Sequence, residues 1–346
     1  MTKVLIGIIM ISYLAIPGAA MEITAPEVPQ SGYAAMPENT DSLAAALPEL
    51  VQNSIQQIHP DLKEAAAVCS EIIVVCLLFS VVTVLSEKMT DIAEIAGAVT
   101  IAGIICQHTS TMVGYASRTV LEICEYGKLL CPVLTSALAA QGGITTSAAL
   151  FAGTTAFIAL LATLVSKWFI PMLCVFLAFS MANCAFGEEL LKKIADSIKN
   201  ILHWLLKALL IIFTTYMSLT GVVSGMTDAA ALKAAKLTMS TVIPVVGGIL
   251  SDASESVLIS MGVVKNAAGI YGILATLAVF VGPFLKVGIQ YLLLKVSALL
   301  CSLFADKKIS GLIDDFSAAM GVLLAMIASS CILVLISTVC FMKGIG

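Results

Sequence analysis

Residues 317–342 read SAAMGVLLAMIASSCILVLISTVCFM, with no charged side chain in the run. A helix needs about 20 mostly apolar residues to cross the hydrocarbon core of a bilayer, and this stretch exceeds that. Comparable runs fill residues 65–85, 144–166 and 201–222, and a shorter one, WFIPMLCVFLAFSMANCAF, fills 168–186 directly after Lys167. Residues 92–117 are softer, carrying Gln107 and His108. Residues 267–304 are too long for one crossing, and Pro283 and Lys286 divide them into 267–284 and 287–304. Lipid offers the backbone no hydrogen-bond partner, so such spans must be helices. The expectation is an all-α polytopic membrane protein with about seven or eight transmembrane helices, interfacial amphipathic helices and room for a re-entrant broken helix.

Composition points the same way. The 346 residues are 60% hydrophobic and only 12% charged, with a mean hydropathy of +1.05. A soluble domain carries about a quarter charged residues, so lipid must be part of this chain's solvent. The net charge of −4 comes from 18 basic and 22 acidic residues with no basic block. That excludes a nucleic-acid partner and names the lipid bilayer instead. The lysines and arginines fall evenly on the two sides of the expected spans, so the positive-inside rule leaves orientation open.

At the N-terminus, Lys3 precedes the apolar run VLIGIIMISYLAI and the small-residue exit PGAA. Residues 1–20 therefore read as a signal peptide cleaved after Ala20, with an uncleaved anchor as the alternative. Residues 21–60, rich in Pro and small polar residues, read as an extracytoplasmic flexible segment. Residues 61–346 form the polytopic domain.

Eight of the ten cysteines sit inside apolar runs, where a thiol packs as a small hydrophobe. Cys124 and Cys131 lie in a more polar segment, where packing and a disulfide both remain open. No CxxC or Cys/His cluster is present, so no metal or other cofactor is expected. Walker A, HExxH and GxSxG motifs are likewise missing, and no enzymatic activity is expected.

Some polar features stand out against this background. EELLKKIADSIKNILHWLLK (188–207) gathers Leu191, Ile194, Ile198 and Ile201 near one face. It fits an interfacial helix, or one that simply projects past the bilayer. Residues 118–130 show a weaker version of the pattern. Ionisable groups inside spans are costly and raise functional hypotheses. Glu71 reads as a cation or proton ligand, or as an interfacial carboxylate. Lys286 and Lys295, nine residues apart, differ in depth and facing, so each snorkels or pairs with a carboxylate on another helix. Asn183, Gln290 and His108 suit hydrogen bonds between helices.

The most punctuated stretch is KLTMSTVIPVVGGILSDASESVL (236–258). Thr227 or Asp228 is placed to cap a preceding helix. Pro244 removes a backbone donor and biases Ile243 out of the α region, while Gly247 and Gly248 open conformations closed to other residues. Asp252 followed by Glu255 has capping-box spacing. The pattern predicts helix, hinge, helix. It is either a gate-like element, with Asp252 and Glu255 at a polar mouth, or a plain surface hairpin. GVVSG (221–225) adds a GxxxG, which permits close helix approach.

The run 221–258 resembles the signature region of the stage III sporulation protein AE family. The resemblance implies a membrane subunit of a secretion-like channel between mother cell and forespore, needed for forespore development after engulfment. It implies as partners the other membrane proteins of the same sporulation operon, a secretion-type ATPase and a forespore-side partner. The implied location is the mother-cell membrane surrounding the forespore. An independent ion-coupled permease and a pure membrane scaffold are the other readings open to the sequence.

Overall fold

The computed structural model describes residues 25–40, 42–85, 90–242, 247–304 and 307–343, with side chains given outside 83–95, 221–227 and 229–259. The signal-peptide reading of residues 1–20 falls outside them. The chain is all-α: α1 (Leu43–Gln57), α2 (His59–Leu85), α3 (Thr90–Ala140), α4 (Ile144–Leu164), α5 (Ile170–Phe186), α6 (Glu189–Val242), α7 (Gly247–Cys301) and α8 (Lys307–Lys343). A short 3-10 helix, Gln30–Ala35, precedes α1.

Six stretches among the described residues are long and apolar enough to cross a membrane: His59–Val82, Ala96–Ala140, Ile144–Phe186, Glu189–Thr220, Ser260–Cys301 and Lys307–Lys343. The protein is an all-α polytopic membrane protein. These six stretches are fewer than the seven or eight expected because two pairs of expected spans are continuous helix.

In the first pair, Lys167 does not end a helix. A five-residue π-helical segment, Val165–Phe169, joins α4 to α5. Pro171 has no N–H to give the preceding turn, and a wider turn relieves both its ring and the carbonyl it cannot serve. Lys167 and Trp168 then point outward. In the second pair, Pro283 lies inside α7, which a helix accommodates at the loss of one backbone bond. Lys286 argued for a loop only while its charge lacked a partner, and the structure supplies one.

The opening stretch forms the hub. Helix α8 packs against α3, α4, α5, α6 and α7. It buries Phe316, Met320, Leu323, Met326, Ile327, Leu333, Val334 and Phe341. Between lipid-solvated helices the hydrophobic effect gives little net drive, so association rests on dispersion and shape. Small residues set the closest approaches. A Cβ at Gly272 would come within 2.5 Å of Leu130, and one at Gly127 within 2.8 Å of Val334.

Within the stretch 21–60, the described residues form two helical elements. The 3-10 helix and α1 both lie on α7, where Ala35, Ala46 and Leu50 form a small buried cluster with Leu274 and Ala278. Apolar residues at 43, 46, 47 and 50 give α1 one buried face despite the surrounding prolines and polar residues.

Residues 189–207 are the first part of the 54-residue α6, continuous with the apolar stretch that follows. Gly187, at φ 70°, caps α5 in the left-handed region and turns the chain into it. Cys124 and Cys131 are both buried free thiols on α3. Seven residues along one helix put their Cα atoms about 10 Å apart, beyond disulfide reach.

Candidate functional site

The punctuated segment divides two long helices. Helix α6 runs to Val242 and α7 starts at Gly247. Pro244 lies outside the described residues. Gly247 and Gly248 are the first two residues of α7, while Asp252 and Glu255 sit inside that helix with side chains outside the described set. The helix thus starts five residues before Asp252, which is not its N-cap.

Within this region Asp228 is the one residue whose side chain is described, and it does not cap its own helix. It lies inside α6, 3% exposed. Its carboxylate accepts the backbone N–H of Thr146 at 2.7 Å and of Thr145 at 3.2 Å. These are two of the free donors at the start of α4, where the helix dipole also favours negative charge. The capping group expected from sequence is therefore real but serves a distant helix. Gly142, at φ 93°, makes the tight turn that presents this N-terminus. Burial by itself raises the Asp228 pKa, but the bonds from Thr146 and Thr145 outweigh it and hold the carboxyl below its ordinary value.

The two intramembrane lysines take different partners. Lys286 on α7 pairs with Asp61 of α2 at 2.7 Å and stands 5.2 Å from the centre of the Tyr115 ring on α3. Three helices are joined by one charge-assisted contact and one cation–π contact. Both charged side chains are about a quarter exposed, so screening reduces the pair's value. Replacing Lys286 with Met should cost about 1 kcal/mol of stability in detergent micelles, by leaving Asp61 unpaired. The double variant D61N/K286M should recover most of that loss. Equal losses in single and double variants would show that the pair contributes nothing.

Lys295 on α7 pairs with Asp314 of α8. The adjacent Asp315 accepts a hydrogen bond from the buried Ser180 hydroxyl on α5, with Lys199 and Asp196 of α6 in electrostatic reach. Asp196 and Lys199 also pair with each other at 2.9 Å. This end of the bundle therefore ties α5, α6, α7 and α8 together through a network of alternating charge.

Glu71 is exposed, on the same outer stripe of α2 as Val74 and Leu78. It is not gathered with Lys286 or Lys295, so the three expected intramembrane groups do not form one site. Gln290 is buried on α7, whereas Asn183 and His108 are half-buried. Sequence reasoning passed over Asp61, Tyr115, Ser180, Asp314, Asp315 and Lys265. Lys265 is 5% exposed on α7, and its charge has no ion-pair partner among the described residues. Only the double acid in GLIDDFSAAM (311–320), directly ahead of an apolar span, was a signal available in the sequence. No three His, Cys, Asp or Glu side chains among the described residues converge as metal ligands.

Comparison with known proteins places this geometry. The family pattern described as Stage III sporulation protein AE matches residues 35–344, which takes in every helix from α1 to α8. The chain is also 26% identical over 176 residues to the Stage III sporulation protein AE of Bacillus subtilis (strain 168). That match covers 51% of this chain and 44% of the relative, so it spans less than half of the curated protein. No solved structure matches the chain. With the matched pattern running through all the membrane-length helices and across the break between α6 and α7, the chain belongs to the stage III sporulation protein AE family.

Proposed function

We propose that this protein is an integral subunit of a secretion-like channel joining mother cell and forespore, required for forespore development after engulfment. Family membership over residues 35–344 carries the sporulation role. The channel reading adds the hinge-like residues Pro244, Gly247 and Gly248 between α6 and α7. Broken helices at membrane depth are tolerated where they line a cavity or are buried in protein.

In this reading the chain sits in the mother-cell membrane surrounding the forespore. It assembles there with the other membrane proteins of its operon, a secretion-type ATPase supplying energy, and a forespore-side partner. Pro244, Gly247 and Gly248 form the hinge of a gate, and Asp252 and Glu255 its polar mouth. The subunit binds and positions partners and does no covalent chemistry itself.

The test is a clean deletion complemented with wild-type or D252N/E255Q protein. The deletion should arrest development after engulfment, and normal spores from it would refute the proposal. The double variant, present in the membrane at wild-type level, should lower the yield of heat-resistant spores at least tenfold. Full yield from it would assign the protein a scaffolding role instead.

A further inference from the structure

The structure contains a lipid-facing groove that the channel reading does not use. It lies between the last two turns of α7 and the first two of α8, with a volume of about 580 Å³. Lys295, Lys307 and Asp314 line it together with Ser302, Ser310 and Leu299.

Its depth follows from where the helices end. The span Ser260–Cys301 stops here and the span Lys307–Lys343 starts here. Lys307, Lys308, Asp314 and Asp315 cluster at these helix ends, a composition that suits headgroup depth. On α7, Leu292, Val296 and Leu299 form an exposed apolar stripe beside the groove, between 50% and 67% exposed. Towards the headgroups, the lining carries two ammonium groups and one carboxylate.

The hydrogen-bond inventory selects the ligand. Ser302 donates its proton to the Leu299 carbonyl, and Ser310 to the Lys307 carbonyl. The hydroxyls therefore have no proton left for a ligand. Lys295 spends one N–H on Asp314 and keeps two, while Lys307 is exposed with no partner among the described residues. The free donors all belong to cations. A zwitterionic headgroup would bring its own ammonium into this field, whereas an anionic one would not. At Gly311 a Cβ would meet no atom within 4 Å, so the groove floor is open enough for a ligand to lie across it.

We propose that this groove binds one anionic phospholipid. Its phosphate sits between Lys295 and Lys307, and an acyl chain lies along Leu292, Val296 and Leu299. Basic pockets between membrane helices bind anionic headgroups by this combination of charge and apolar wall.

The experiment uses the full-length protein in nanodiscs of equal phosphatidylglycerol and phosphatidylcholine, extracted into mild detergent, with the retained lipid measured by native mass spectrometry. Wild-type protein should retain phosphatidylglycerol preferentially. K307Q removes an exposed, unpaired charge and should lower that preference about fivefold. G311V fills the open floor while leaving every charge in place, and should lower retention comparably. Both variants should melt like wild type, which separates loss of the site from loss of the fold. Equal retention of the two lipids by wild-type protein would overturn the assignment, as would unchanged retention in G311V. Displacement of the lipid by millimolar inorganic phosphate would also overturn it, because the site would then be one for a free anion.

Discussion

Gly153→Ala should destabilise the protein by about 2–3 kcal/mol, although alanine is the better helix former by about 1 kcal/mol. Gly153 faces the Tyr216 ring across the α4–α6 contact, and a methyl there would lie inside the ring's van der Waals envelope. The ring is held in place. Its hydroxyl donates to the Ala149 carbonyl at 3.0 Å, and its centre is 5.9 Å from that of Phe157, which in turn makes an edge contact with Phe213. Moving the ring would break the hydrogen bond and open a gap beside Phe157. The decisive measurement is a double-mutant cycle in detergent micelles. In a Tyr216→Ala background the Gly153→Ala cost should fall to zero or become a small gain. An unchanged cost would mean that Tyr216 is not what Gly153 accommodates.

Asp228→Ala should cost about 2 kcal/mol, because it leaves two donors at the start of α4 unpaired in a buried position. Asp228→Asn keeps an acceptor oxygen but loses the charge, and should cost about 1 kcal/mol at neutral pH. The pH dependence separates the two contributions. The native pKa lies below the ordinary 3.8, so the carboxylate's contribution is complete above that ordinary value and is lost as pH falls through the native pKa. Wild type and Asp228→Asn should therefore differ at pH 7 and converge in strong acid, while Asp228→Ala stays less stable at both. A gap between wild type and Asp228→Asn that widened on acidification would contradict the assigned geometry.

Both predictions turn on contacts that sequence could not show. The all-α class, the membrane setting and the hub stretch at 317–342 were legible because lipid imposes a length and a composition on each crossing. The helix boundary expected at Lys286 is absent for a physical reason. A charge inside an apolar run looks like a loop until its surroundings are known, and Asp61 lies 225 residues from Lys286. Asp228 is a similar case. Its residue type announced a helix cap, yet the donors it serves are 82 and 83 residues away. Local pattern identified the chemistry, and tertiary packing chose the partner. The hinge reading of Pro244, Gly247 and Gly248 rests on the sequence, since residues 243–246 lie outside the described ones.

The hub helix has a mechanical consequence. Its cross-helix polar contacts cluster at one end: Cys184 to the Lys308 carbonyl, Lys295 to Asp314, Ser180 to Asp315 and Ser317 to the Tyr291 carbonyl. Beyond Ser317, the hydroxyls of Ser329, Ser330, Ser337 and Thr338 all donate to carbonyls of α8 itself. Among the described residues, that part of α8 is held by the fit of its side chains alone. The helix is therefore pinned by polar contacts at one end and by interlocking side chains along the rest, with Val334 seated against Gly127 and Met342 against Gly269. Among the described residues, displacing the far length of α8 would disrupt packing and no cross-helix hydrogen bond, whereas the near end moves only when the charged network around Asp314 and Asp315 lets go.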